Sequence, residues 1–199
     1  MSKIEIWNLA LGHLRAGSIQ SELERSAARE YCELYYPACK SSLLSEGPWG
    51  FATTKVALAS RSEVPAGWPN AFVLPEGHLR IWSVHPHHGG AFDSDRGNHF
   101  ELRYNVSEGT TDLVTEIPNP VARITMLVSD EVLPQHIVIA LSHLLAANLS
   151  VPLAGAAAGT RFQKEQMEWY ERALAAAHAI DSTDKRLPQS ESRYVLARR

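Results

Sequence analysis

The stretch HIVIALSHLLAANLSVPLAGAAAG, residues 136–159, admits two readings, and the choice between them decides the fold. By length and apolar content it could cross a bilayer, which takes roughly 20 helical residues. His136, His143, Asn148 and Pro152 argue against that, because each polar centre is costly in hydrocarbon. The alternative is a core helix of a bundle. Ile137, Leu141, Leu144 and Leu145 recur at helical spacing, and Pro134 suits a first helical turn. PLAGAAAGT (152–160) then reads as a small-residue loop, followed by a last helix carrying Phe162, Trp169, Tyr170, Ala173, Ala177 and Ile180. One helix pair cannot bury its own stripe, so a second pair must lie elsewhere in the chain.

That pair is expected at the N-terminal end. Trp7, Ala10, Leu11 and Leu14 repeat at i, i+3, i+4 and i+7. Ser21-Glu22-Leu23-Glu24 has the form of a capping box, with Ser21 as N-cap and Glu24 at the third helical position. The helix it opens would carry Leu23, Ala27, Tyr31, Leu34 and Tyr35 toward Leu44, with Pro37 kinking or splitting it. EGPWGFA (46–52) would close this half and plant Trp49 and Phe51 against it. Stripes such as Trp7/Leu11/Leu14 and Trp169/Tyr170/Ala173 read as core rather than as a cofactor site, and some of that aromatic surface equally suits a subunit interface.

Between 53 and 129 the helical period vanishes. AFVLP, HLRIWSV, HFELRYNV, DLVTEI and VARITMLV are β-rich runs separated by Gly, Pro, Asn and Asp clusters, which predicts about five antiparallel strands. The expected class is therefore α+β. A bundle of two helix pairs (1–52 and 130–184) carries a β-rich insertion (53–129) and an extended C-terminal tail (185–199).

Charge separates the tail from the rest. Lys185, Arg186, Arg193, Arg198 and Arg199 against Glu191 give residues 185–199 a net +4 within a chain of net −3, leaving −7 on the first 184 residues. An acidic body with a basic tail points to a separate partner for the tail. It does not suggest a nucleic-acid-coating protein, and none of the four expected helices presents the Lys/Arg-rich face of a nucleic-acid-binding regulator. Cys32 and Cys39, seven apart on one helical face, would be separated by roughly 10 Å, beyond disulfide reach. MSKIEIWN has no apolar signal core, and the expected compartment is a reducing cytosol.

Few motifs carry chemistry. HPHHGG (85–90) gathers His85, His87 and His88, and imidazole is a good zinc or nickel ligand. Without a Cys or carboxylate at ligand spacing, a solvated turn is the better reading, and no metal or cofactor is expected. GAAAGT (155–160) lacks the Lys-Ser/Thr pair of a phosphate loop. Asn105-Val-Ser107 and Asn148-Leu-Ser150 match the glycosylation pattern, which carries no weight without secretion. There is no Gly-x-Ser-x-Gly and no His-Glu-x-x-His, so catalysis is not expected. The enzymatic alternative would be a small metal-dependent hydrolase built on His85, His87 and His88.

Taken in order, several stretches resemble the tail tubular protein A family, head-to-tail adaptors of short-tailed bacteriophages. They are WNLALGHL, SELERSAAREYCELYYPACKSSLL, PWGFA, GWPNAFVLPEGHLRIWSV, FELRYN, LSHLLAANLSVPLAG and WYERALAAAHAID. The sequence departs from that pattern at Glu76-Gly77-His78, where an Asp-Cys pair before Leu-Arg is common, and at Pro37. The resemblance implies a virion protein of the neck and tail, assembled in the host cytoplasm without a membrane. It implies a dodecameric ring between the portal protein and a tail nozzle protein, with double-stranded DNA passing through its channel. An acidic body suits such a channel, since rows of Lys and Arg would grip phosphates. On this reading residues 185–199 form an arm reaching up to roughly 50 Å. Tyr194 and Leu196 are its apolar anchors, and Arg193, Arg198 and Arg199 pair with portal carboxylates.

Overall fold

The computed structural model describes residues 1–87 and 98–184. It is mixed α+β, with helices at both ends of the described chain and two antiparallel sheets between them.

Helix α1 (Lys3–Leu14) begins at a capping box the sequence reading missed. Ser2 Oγ accepts the Glu5 amide, and the Glu5 carboxylate accepts the Ser2 amide at 2.7 Å. It ends where Arg15 turns left-handed at φ 56, its amide reaching back to Gly12 and Leu11. Trp7, Ala10, Leu11 and Leu14 are buried, as their spacing predicts.

Helix α2 (Ala27–Ser45) starts later than expected. Ser21 does not cap it. Its hydroxyl accepts the Leu23 amide, and the Glu24 carboxylate accepts from Gln20 rather than from Ser21, so this segment closes as a turn. Ser26 is the true N-cap, accepting the Arg29 amide. Leu23 is consequently 90% exposed, and Leu34 also faces out. Pro37 does not split the helix, because its missing donor falls on an exposed face. Cys32 and Cys39 are buried and free.

Helix α3 (Gln135–Asp184) runs through the segment expected to be a loop and is interrupted at a single residue. The residues of PLAGAAAGT are helical except Gly155, whose φ of 75° and ψ of 170° turn the chain back on itself. Only glycine adopts that conformation without strain. Contacts are symmetric about the bend. His143 meets Gln166 at 2.8 Å, and a Cβ on Gly159 would lie 2.6 Å from Val151 Cα. The bend is therefore a tight helical hairpin, with Gly159 permitting the arms to touch through their backbones. By length and composition α3 could span a membrane, but Ile137, Val138, Leu141, Leu145 and Leu149 are buried in the bundle core. Tyr170 and Ala177 of the returning arm join that core, whereas Trp169 and Ile180 are partly exposed, contrary to the core reading of Trp169.

Among the described residues seven strands form where about five were expected. A three-stranded sheet has order β1-β7-β4, from β1 (Thr53–Ala57), β7 (Pro120–Met126) and β4 (His78–Pro86). A four-stranded sheet has order β2-β3-β6-β5, from β2 (Ala59–Ser60), β3 (Asn70–Val73), β6 (Thr110–Thr115) and β5 (Phe100–Asn105). The sheets share a second core of Phe72, Leu74, Val84, Leu113, Ala122 and Ile124. The chain enters and leaves this β module at one place, where the Met126 amide donates to the Ala52 carbonyl at 2.8 Å. Trp49, fully buried, donates Nε1–H to Leu43 O and stacks on His178, closing α2 against the returning arm of α3.

Candidate interaction surfaces

Polar groups inside the bundle act as clamps between helices. Tyr36 and Lys40, both buried on α2, converge on Asp130 in the 3-10 turn Asp130–Val132 that precedes α3. Burial, reinforced by Asp130 accepting its hydroxyl proton, holds the Tyr36 phenol neutral far above the ordinary range. This ties the exit of the β module to α2.

A second clamp crosses three helical segments. The His13 ring stacks on His143 at 4.1 Å between centroids, and His143 in turn lies 6.2 Å from Trp169, over whose ring Arg172 lies at 5.0 Å. Ser142 donates to the Ile139 carbonyl, which leaves its oxygen to accept from His13 Nε2 at 3.1 Å. Burial, and then the positive charge that His143 would carry, hold the His13 imidazole below the ordinary value of 6.5. The sequence reading passed over His13 and Ser142, whose helices meet only in the fold. A serine beside an imidazole is half of a nucleophilic pair. Here the hydroxyl is buried and its proton is committed to a helix carbonyl, so the contact fastens α1 to α3.

The thiols are equally withdrawn. Burial pushes Cys32 up to about 12 and Cys39 up to about 11, and Asn148 donates to the Cys39 sulfur at 3.5 Å.

The β module exposes two unlike surfaces. Directly opposed residues in an antiparallel pair share a face. The register therefore puts Lys55, Arg123 and Ser83 on one row of the three-stranded sheet, facing away from Val56, Ala122 and Val84. A bulge between Ile81 and Ser83 brings Trp82 to this side, where its Nε1–H donates to Thr125 Oγ1 and Arg80 lies 4.2 Å over its ring. In the four-stranded sheet, Leu102 stands opposite Leu113, which stands opposite Phe72. The inner two are buried, but Leu102 is 50% exposed, and along the same edge Tyr104 and Val106 are 68% and 84% exposed. The row of core residues thus runs out past its cover. The cleft beside this edge, about 610 Å³, is lined by Leu102, Val73, Pro75, Arg61, Thr110 and Asp112. Asp112, buried, is held by Arg61 Nε at 3.1 Å and Asn105 Nδ2 at 2.8 Å, which fixes the floor of the cleft.

His85 lies at the end of β4, with Nε2 and Ser83 Oγ 3.0 Å apart. The His87 amide donates to the Asn119 carbonyl, and His88 lies outside the described residues. Among the described residues no group of three His, Cys, Asp or Glu side chains could hold a metal. The arm residues Arg193, Tyr194, Leu196, Arg198 and Arg199 also lie outside the described residues. Compared with models of protein families and with curated proteins, the chain matches none.

Proposed function

We propose that this chain is the repeating subunit of a head-to-tail adaptor ring in a short-tailed phage virion, docking on the portal and linking it to the tail nozzle around the DNA path. One observation carries the reading. The motifs that resemble the adaptor family follow in order along α1 and α2, the β module and the helical hairpin of α3. The buried clamps support a passive, rigid part rather than a reactive one. The bundle is the wall of the ring, and residues 185–199 are the arm that seats in the portal. Ordering such an arm costs about 1–2 kcal/mol per residue, so one arm binds weakly and a ring of arms binds by avidity.

Co-sedimentation with purified portal rings, followed by electron microscopy, tests this. The full chain is expected to decorate portal rings while sedimenting as a monomer alone at micromolar concentration. Removing residues 190–199 should leave a folded chain that no longer binds. Tyr194→Ala should account for more of the loss than any single arginine change, since aromatic anchors outweigh rim charges. Undiminished binding by the truncated chain would remove the arm from the proposal, and no binding by the full chain would remove the adaptor.

A further inference from the structure

Strand β5 ends the four-stranded sheet, and among the described residues it pairs only with β6. Leu102, Tyr104 and Val106 are exposed along it. A strand edge that combines open backbone with apolar side chains is one that soluble proteins cover or blunt. An extended segment laid on such an edge gains main-chain hydrogen bonds and sets alternate side chains against it. Charge around this edge is one-sided. Residues 58–77 and 98–116 hold six carboxylates against Arg61 and Arg103, an excess of four negative charges. Arg61 is engaged by Asp112 and Glu108, and Arg103 by Glu101. Glu63 and Glu76, both exposed, stand outside these pairs. Glu63 shares a groove with Tyr104 and Val106, and Glu76 shares the cleft with Leu102.

The C-terminal segment has the opposite composition and starts nearby. Residues 185–199 carry a net +4, and in Arg193-Tyr194-Val195-Leu196-Ala197 the side chains of Tyr194 and Leu196 would share one face of a strand. Helix α3 delivers the chain to the base of the β module. Asp181 Oδ1 accepts the Gly50 amide at 2.7 Å, two residues before Ala52, whose carbonyl accepts from Met126. The next amide, that of Leu127, donates to Gly77, which lines the same cleft as Leu102 and Glu76. From Asp184 to Tyr194 an extended chain covers up to roughly 35 Å, enough to follow this path.

We infer that in the free chain the occupant of the β5 edge is the chain's own C-terminal segment, residues 190–199. Arg193–Ala197 lies along β5, with Tyr194 and Leu196 extending the row of Leu102 and Tyr104. Arg193, Arg198 and Arg199 meet the acidic surroundings of Glu63 and Glu76. The tether makes a weak contact sufficient, because a short flexible linker holds the segment at an effective concentration on the order of millimolar. The inference rests on the adaptor reading for one step alone. On the portal the segment exchanges this edge for its seat there, so β5 opens only on assembly.

Hydrogen exchange on the full chain, free in solution at low salt, tests the docking. Removing residues 190–199 should speed exchange at residues 101–106 several-fold, with circular dichroism unchanged. A synthetic peptide of residues 190–199, added at millimolar concentration, should reverse the effect. Glu63→Lys/Glu76→Lys in the full chain, and added salt, should each reproduce part of it. A benzophenone amino acid in place of Val195 should cross-link to residues 101–106 of its own chain, and this decides the matter if the truncated chain fails to fold. Unchanged exchange after truncation would overturn the inference, as would charge reversal without effect. So would cross-links to the helices, or cross-links formed only between copies. Portal rings separate the two readings. Exchange at residues 101–106 of portal-bound chains should rise to that of the truncated chain. Protection that persists on the portal removes the segment's seat there and keeps the docking. Truncation that abolishes portal binding without changing exchange overturns the docking and keeps the adaptor.

Discussion

The bundle and the β module solve the same problem of burying polar groups in opposite ways. In the bundle, several polar side chains turn inward and are satisfied there, although the buried Trp7 Nε1–H has no hydrogen-bond partner among the described residues. Tyr36 and Lys40 meet Asp130, His13 meets Ser142, and His143 meets Gln166. In the β module, apart from Asp112 with its partners and the Arg103–Glu101 pair, charge is sorted by sheet: cations on one and carboxylates around the other. The difference teaches where each region spends its polar chemistry. The bundle uses it to join its helices, and the module carries it on its outer faces.

The largest expected effect breaks the bundle side of this contrast. Trp49→Ala removes a fully buried ring, its hydrogen bond to Leu43 and its stack on His178, and should cost about 3–5 kcal/mol. Leu113→Ala in the second core should cost about 2–5 kcal/mol, with the loss felt in the module. Hydrogen exchange checks both: protection lost throughout the chain after Leu113→Ala would mean that the two cores fold as one.

Lys40→Met leaves Asp130 with only Tyr36, and should lower stability by about 2–3 kcal/mol in chemical denaturation. A neutral result would reduce the clamp to a solvated pair. Gly159→Ala forces a methyl onto the Val151 backbone, and an expected loss of about 1–3 kcal/mol is readable as a lower thermal midpoint.

Acid should sharpen the contrast further. The folded pKa of His13 is depressed, so below 6.5 the unfolded chain binds the proton more readily. The stability held by the neutral ring is complete above 6.5 and is lost as pH falls through the folded value. His13→Gln should flatten the difference in thermal midpoint between pH 7.5 and pH 5.5, and an unchanged slope would assign the acid sensitivity to other groups.

The smallest effect belongs to the display side. Leu102→Ser with Tyr104→Ser should move the stability of the isolated chain by no more than about 0.5 kcal/mol each, because both side chains are exposed. A large loss would mean that this edge serves the module's own core.

Legibility followed the length scale of the signal. The stripes of α1 and of the first arm of α3 could be read because helical neighbours are three or four residues apart, so a window of sequence contains its own contacts. PLAGAAAGT reads as a loop but is helical on both sides of the turn, because Ala-rich sequence is helix-permissive and a single residue, Gly155, supplies the reversal. Ser21 misled because its box is a turn that closes on itself five residues before Ser26. Strand β1 was missed because TTKVA is short and interrupted by a lysine. The cationic face could not be read at all. Lys55, Arg80 and Arg123 are isolated in sequence and become neighbours only through register. The histidines drew attention by local density, a property that says little about what a fold brings together.

The paired crossing at Ala52 and Met126 has a consequence for how such a chain can change. Because the module departs and returns through one hydrogen-bonded gate, its ends are already a short turn apart in the bundle's frame. The module can be shortened, enlarged or exchanged without altering where α1, α2 and α3 must meet. Selection can therefore re-cut the outward faces while the helical frame keeps its packing. In modular terms, the bundle is a socket, and the β module is a replaceable fitting.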